Sequence, residues 1–298
     1  MSENFTNICQ CCGSNKVVVA YETSFFNLPV LKCDKCSGYF LQYDKGQFDI
    51  KKYYNETYWT VFRNIHDKKI TDQQVDKGYL VKKLPKILRD LIEITGVRKA
   101  MAHSQYNYIK PYINGKLLLE LGSGEGFVLE LFENRGFDVY GIEPSRDNLE
   151  IINKKLKRGK CEVGFAENLQ FDTKFDVIIM SHVLEHTVNC KEILSNLKNI
   201  ISDKGILFIE VPNCENIDVL KHSINEQPHI HHFTKKSLQK LLENSGFRIV
   251  KIDIFDSSIK SMFDRFKYFV YWILKMNYYS ISNEKDGTEI RMIVTTSR

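Results

Sequence analysis

The chain has 298 residues, 43% of them hydrophobic and 27% charged, and its 42 Lys and Arg against 37 Asp and Glu leave a net charge of +5. That apolar content supports a sizeable core in one large or two modest domains and excludes a disordered or fibrous chain. The near balance of charge, with no long like-charge run, argues against nucleic acid as the default partner.

The N-terminus, Met1-Ser2-Glu3-Asn4-Phe5, carries an acidic residue and lacks the apolar stretch of a secretory signal. No charge-free run reaches the roughly 18 residues that span a membrane, so a cytoplasmic location is expected. Thiols stay reduced there, and clustered cysteines then point to metal or catalysis. Two C-x-x-C knuckles, Cys9 with Cys12 and Cys33 with Cys36, flank 20 intervening residues. Two residues between thiolates let one tight turn bring both sulfurs to about 2.3 Å from a tetrahedral zinc ion. Gly13 and Gly38 follow the knuckles closely and allow the positive φ of such turns. Neither four buried apolar thiols nor a redox pair explains two knuckles at this separation. Residues 1–45 are therefore predicted to form a four-cysteine zinc ribbon whose closed ligand set folds the chain and does not catalyse. Cys11 is an extra thiol inside the first knuckle, and the spacing favours Cys9 with Cys12. Cys161, Cys190 and Cys214 are scattered and read as ordinary buried cysteines.

Residues 46–115 form an aromatic, lysine-rich connecting region containing Tyr53-Tyr54-Asn55-Glu56-Thr57-Tyr58-Trp59. Helices are expected over 71–95, bent by Pro85, and over 98–112. From Lys116 onward, short apolar runs alternate with amphipathic segments, the signature of βαβ units. Strands are expected near 116–121, 137–142, 161–165, 175–181, 205–211, 247–255 and 289–296. Helices are expected near 126–135, 145–157, 190–201 and 234–245. In the last, Leu238, Leu241 and Leu242 share a face and Gly246 follows as a cap. The fold class is thus α/β: residues 116–298 form a doubly wound, seven-stranded, mostly parallel sheet, with an insertion over about 256–286.

The first strand of that sheet runs into Glu120-Leu121-Gly122-Ser123-Gly124-Glu125-Gly126, with a helix after it. Glycines here let the backbone approach a ligand, and helix N-terminal amides face it. A dinucleotide site would show G-x-G-x-x-G and seat a pyrophosphate. This chain has G-x-G-x-G, and Glu120 would repel a pyrophosphate but suits a ligand carrying an ammonium group. About 20 residues on, the next strand ends at Glu143-Pro144-Ser145, where the carboxylate can accept both hydroxyls of a ribose. Together these mark an adenosine site.

On these residues the chain resembles the class I S-adenosylmethionine-dependent methyltransferases over 116–298. Ala166-Glu167-Asn168-Leu169 is similar to that family's adenine-edge loop, and Phe175 through Ser181, His182, Val183, Leu184, Glu185 and His186 to its fourth strand and catalytic-side turn. The resemblance implies that Glu120, Gly122, Ser123, Gly124, Gly126, Glu143, Pro144, Ala166, Glu167, Ser181 and His182 bind S-adenosylmethionine. It also implies in-line displacement of the sulfonium methyl by a nucleophile held at about 3–3.5 Å.

The acceptor is argued from histidines. Three crowd into Pro228-His229-Ile230-His231-His232-Phe233-Thr234, expected directly after the fifth strand at the rim of the acceptor pocket. A sugar hydroxyl ionises far above neutral pH and needs a base, and an imidazole with a pKa near 6.5 is suited to that role. His229 ranks first as base, then His232 and His231. His182 is placed against the methionine end of the cofactor, and Glu185 with His186 at the start of a helix over it. A ribbon, the Tyr53–Trp59 stretch and the H-x-x-x-F-T pattern together resemble bacterial sugar-modifying methyltransferases of surface-polysaccharide and deoxysugar pathways. That implies a nucleotide-linked sugar or growing glycan as substrate. The C-methylating branch of that group typically carries a further C-terminal domain, and this chain ends just after its seventh expected strand, so O-methylation is the expectation. C-methylation of a nucleotide-linked ketosugar is the first alternative, and an RNA-modifying or RNA-binding protein using the ribbon the second. The apolar, basic segment 259–276 fits a helix packed on the sheet, a lid, a dimer contact or a membrane-surface helix.

Overall fold

The computed structural model describes residues 7–43, 97–257, 270–271, 273–274 and 280–296. The expected helix over 71–95 and most of the segment 259–276 lie outside them.

Alternating side-chain direction builds the central sheet. In the strand Phe175–Ser181 (β7), Val177 and Ile179 enter one core while Ile178 and Met180 enter the other, and all four are fully buried. Strands buried on both faces read as continuous apolar runs, which is why this one stands out in the sequence. It pairs in parallel with β4 (Leu117–Leu121) and β8 (Ile201–Pro212), and β5 (Asp138–Glu143) and β6 (Lys160–Val163) continue the parallel sheet beyond β4. Beyond β8 lie β12 (Glu289–Thr296), antiparallel to both its neighbours, and β10 (Phe247–Asp256); a two-residue β11 (Ser280–Ile281) extends that edge. The spatial order is β11-β10-β12-β8-β7-β4-β5-β6. Seven of these strands are the ones expected. β8 starts earlier than its apolar run suggests, because Ile201 pairs with Phe175 as soon as the preceding helix ends.

Helices cover both faces. One core joins the sheet to α1 (Val97–Ile109) and to Phe132 and Ile152, from α2 (Phe127–Glu133) and α3 (Arg146–Lys155). The other receives α4 (Cys190–Ile200) and Leu238, Leu241 and Leu242 of α6 (Lys235–Asn244). Caps follow the sequence: Ser145 begins α3, and Thr234 with Ser237 forms a capping box on α6.

The ribbon is a three-stranded antiparallel sheet of β1 (Val17–Tyr21), β2 (Val30–Cys33) and β3 (Tyr39–Leu41). It is joined to the large domain. Strand β3 pairs with β9 (His231–His232), setting Tyr39 opposite His232 and Phe40 opposite His231. Side chains reinforce the seam: Gln10 donates to the Val188 carbonyl and accepts from Cys190 N, Asn244 donates to the Cys11 carbonyl, and Thr234 donates to the Cys36 carbonyl.

This corrects the expected place of the histidine segment. A helix, α5 (Ile217–Asn225), capped by the Asn216 side chain, intervenes after β8. The segment then enters the ribbon's sheet, where His231 and His232 are buried under backbone pairing instead of standing at an open rim.

Cys9, Cys11, Leu31 and Phe40 of the ribbon share one core with Phe233, Leu238, Leu241 and Leu242. Truncating the fully buried Leu241 to Ala removes contacts and leaves a cavity, which lowers unfolding free energy by about 2–5 kcal/mol in denaturant titrations. A loss below about 1 kcal/mol would contradict a shared core.

Candidate active site

The chain runs from β4 to β5 on one side of the sheet and later to β7 on the other, so a crevice opens at the C-terminal ends of these strands. A half-open cleft lies there, lined by Gly122, Gly124, Glu143, Pro144, Phe165, Ala166, Glu167, His182 and His186 among others.

The turn after β4 requires its glycines. Gly122 has φ +69° and Gly126 φ +75°; a Cβ would stand 2.5 Å from Val183 at the first and 2.9 Å from Ile152 at the second. The flattened turn lets Gly124 N donate to Glu143 Oε2 at 2.7 Å, while Ser145 N and Asn148 Nδ2 donate to Oε1 at 2.9 and 3.3 Å. Burial raises the Glu143 carboxyl to about 7 despite these donors. Ser123 donates to the Glu120 carbonyl behind the turn. Glu120 is buried, and its Oε2 finds no hydrogen-bond partner among the described residues. Burial, then the nearby Glu143 charge, raises its pKa well above the usual carboxylate range. An orphaned acid beside Glu143 fits S-adenosylmethionine, whose ammonium group would supply the missing partner.

At the other end, β7 stops at Ser181 and His182 takes a left-handed φ of 53°, strain uncommon for a histidine. Its Nδ1 is 3.2 Å from Glu185 Oε1, and its Nε2 is 3.6 Å from Glu289 Oε2 and 3.9 Å from Glu210 Oε1. Desolvation lowers the His182 pKa, but Glu289, Glu185 and Glu210 outweigh it and raise it to about 10. Glu210 forms a buried ion pair with Arg291, and accepts from Gln105 and Ser181 as well. Ser181 is thus engaged by Glu210 and Gln105.

Four further imidazoles, His186, His229, His231 and His232, are held below the ordinary histidine value. His186 lines the cavity, and its Nδ1 donates to the Pro228 carbonyl at 3.2 Å. His229 packs edge-on behind it, ring centres 4.6 Å apart. His229 and His232 share one hydroxyl, each with Nδ1 2.7 Å from Ser223 Oγ, and His231 stacks on Phe233. Burial lowers all four, His231 to about 4 and His232 to about 3; for His229, the neighbouring His186 and His232 add to it. His182 and His186 therefore line the cavity, His229 packs behind His186 and shares Ser223 with His232, and His231 lies against Phe233, while the backbone of His231 and His232 pairs with the ribbon. The sequence places Glu185 and His186 at the start of a helix over the cofactor; Leu184–His186 forms only a single 3-10 turn, and His186 lines the cavity.

In the ribbon, the thiols of Cys9, Cys12, Cys33 and Cys36 all lie within 4.8 Å of one another, with Cys9–Cys36 and Cys12–Cys33 at 3.5 Å. Sulfurs about 2.3 Å from a tetrahedral zinc stand about 3.8 Å apart, so the set fits that ion with little movement. Cys11 is buried beside it and outside the set.

Comparison with known proteins agrees with this geometry. A family model described as "Methyltransferase domain" matches residues 99–252, just over half of the chain. Ubiquinone biosynthesis O-methyltransferase of Pelagibacter ubique is 31% identical over 108 residues, covering 35% of this chain and 45% of the relative. C-methyltransferase NovU of Streptomyces niveus is 26% identical over 151 residues, covering 48% of this chain and 35% of that protein. The matched region spans less than half the length of either relative. Among solved structures, the plantazolicin methyltransferase BpumL, complexed with a desmethylPZN analog and SAH, superposes with a TM-score of 0.53 at 17% identity, covering 84% of this chain and 95% of that one. At that identity the likeness concerns the fold. With the strand order, the glycine turn and its two acids in place, the chain belongs to the methyltransferase-domain family.

Proposed function

We propose that this chain transfers the methyl group of S-adenosylmethionine to a hydroxyl of a carbohydrate, on a nucleotide-linked sugar or a surface glycan. The observation that carries this reading is the imidazole wall closing the cavity. A hydroxyl must lose its proton as it attacks, and a neutral imidazole at the cavity is the group to take it. His186 meets the cavity with Nδ1 committed to the Pro228 carbonyl, which puts the lone pair of its neutral form on Nε2. His229 packs edge-on behind it, ring centres 4.6 Å apart, and holds its orientation. The cofactor supplies an activated methyl on sulfur. Glu120 meets its ammonium group, Glu143 its ribose, and Ala166 and Glu167 its adenine. A zinc ion held by Cys9, Cys12, Cys33 and Cys36 braces the ribbon against β9 and does not enter the reaction.

The O-methyltransferase among the relatives supports oxygen as acceptor, and the C-methyltransferase supports a second reading. If carbon is methylated, the same imidazoles remove a proton next to a ketone. Solvent deuterium then enters a nucleotide-linked ketosugar with no cofactor present, whereas O-methylation leaves its carbons unlabelled. Mass spectrometry of a nucleotide-sugar panel incubated with S-adenosylmethionine decides between acceptors, the expected product being about 14 Da heavier. Failure to bind S-adenosylhomocysteine would overturn the cofactor reading itself.

Glu143→Ala removes two charge-assisted hydrogen bonds, each worth about 1.5–3 kcal/mol, and is expected to weaken S-adenosylhomocysteine binding at least a hundredfold in calorimetry. His229→Ala is expected to leave that affinity within about threefold and to lower kcat by about 10²–10⁴. Equal turnover in the variant would exclude His229 as the residue that positions His186. The carboxylate form of Glu143 is the one that accepts ribose hydroxyls, and its pKa lies at about 7 in the free protein. Affinity for the cofactor product therefore rises with pH below 7, by up to about tenfold per unit, and levels off above it. His186 and His229 are held below the ordinary histidine value, so the fall in kcat from their protonation sets in at lower pH than the loss of cofactor affinity, which begins near 7.

A further inference from the structure

Beside the imidazole wall lies a group of side chains that hydroxyl activation by imidazole does not use in full. Glu185, His186 and His229 each offer one donor atom, and these atoms lie within 4.8 Å of one another. Glu185 is only 1% exposed, yet its Oε2 has no hydrogen-bond partner among the described residues. Burying an unpartnered carboxylate oxygen is costly, and a group that satisfies it removes that cost.

We infer that Glu185, His186 and His229 form a binding site for a divalent first-row transition-metal ion, separate from the cysteine set and open toward the cofactor cavity. Two imidazoles and one carboxylate suit zinc, iron(II) or cobalt(II), and differ from the all-oxygen sets that magnesium and calcium prefer. Each ligand is held from its far side, as metal ligands generally are. Glu185 Oε1 lies 3.2 Å from His182 Nδ1, His186 Nδ1 donates to the Pro228 carbonyl, and His229 Nδ1 meets Ser223 Oγ. The Ser223 hydroxyl serves His232 equally well, so it can rotate to accept from His229 and donate to His232, which places the His229 lone pair on Nε2. Ligands at about 2.0–2.2 Å from an ion stand about 3–3.5 Å apart, so closure asks for side-chain movements of an ångström or two.

The local charge favours an ion. Imidazole must be unprotonated to coordinate, and burial keeps both rings in that form at neutral pH. Glu185, Glu289 and Glu210 all face His182, and Glu210 is also paired with Arg291, so three carboxyl groups stand against two cations. Three protein ligands leave a position for an exogenous one, and His186 borders the cavity where it would enter. A hydroxyl or water coordinated there loses its proton near neutral pH. An ion in this site takes over from the bare His186–His229 pair the task of ionising the acceptor, which deepens the proposed function without depending on which sugar is methylated.

The isolated full-length protein, its thiolate site filled by spectroscopically silent zinc, is titrated with Co²⁺ and followed by visible absorption and metal analysis. Uptake of one Co²⁺ per chain is expected, with ligand-field bands and no thiolate-to-metal band. Glu185→Gln and His186→Ala are each expected to weaken that uptake at least tenfold while retaining the zinc, which reports a folded ribbon. No uptake by the wild-type chain, uptake unchanged in both variants, or a spectrum carrying the thiolate band would overturn the assignment. S-adenosylhomocysteine is titrated into the same samples: cofactor binding without Co²⁺ uptake removes the metal site and leaves the methyltransferase reading standing.

Discussion

The backbone pairing of β3 with β9 is the contact on which the candidate site depends. It comprises only Tyr39 with His232 and Phe40 with His231, yet it joins the three-stranded ribbon sheet to the segment that presents the imidazoles. On one side the pairing is held by a ribbon whose four thiols converge, and on the other by Ile230, fully buried, whose amide donates to the Glu185 carbonyl. His229 is thereby fixed against His186, and Thr234 is placed to cap α6 while bonding the Cys36 carbonyl. Loss of order in the ribbon would reach the cavity through two residues of strand. A closed set of four cysteines can in this way matter to catalysis while taking no part in chemistry.

Beneath His182 runs a second fixed element, the ion pair of Glu210 and Arg291. Both are almost wholly buried, and removing one partner of such a pair costs about 3–5 kcal/mol because the other charge is stranded. The pair gathers four elements, since Gln105 and Ser104 come from α1, Ser181 from β7, Glu210 from β8 and Arg291 from β12. Burial raises the Glu210 pKa, but the Arg291 charge, and then that of His182, lowers it further, so the carboxylate stays ionised. The strained turn at His182 is held over a rigid floor, consistent with strain persisting where surrounding structure determines it.

Most of the fold was legible because the sheet is doubly buried. Phe175–Ser181 and Glu289–Thr296 match their apolar runs residue for residue, and the Glu120–Gly126 turn follows from glycines that only a left-handed backbone explains. What escaped was set by long-range contact. His231 and His232 carry no alternating pattern, and their partner strand lies some 190 residues earlier, joined through backbone groups that every residue possesses. Helix α5 has a readable signal, Asn216 as cap with Leu220 and Ile224 four apart, but it is short and sits where a direct passage to the histidines was expected. Glu210, Glu289 and Arg291 were invisible as a group because strand residues on the buried face read as core positions until register brings them together.

The four imidazoles nearest the cavity show why register matters more than residue type. His182, His186, His229 and His232 are the same side chain in the same wall, yet only the first is held in its charged form. His182 differs from the others in being partly exposed, its side chain 36% accessible, and in having three carboxylates converge on it. His186, adjacent in sequence to Glu185, feels that charge too, but its Nδ1 is turned to a carbonyl and desolvation prevails. Charge and proton affinity are thus separated within a few ångströms: an imidazolium tied to carboxylates at the end of β7, and neutral rings with lone pairs behind it. Placing the neutral rings under the ribbon's strand, away from the acids of β8 and β12, keeps them competent to receive a proton at neutral pH.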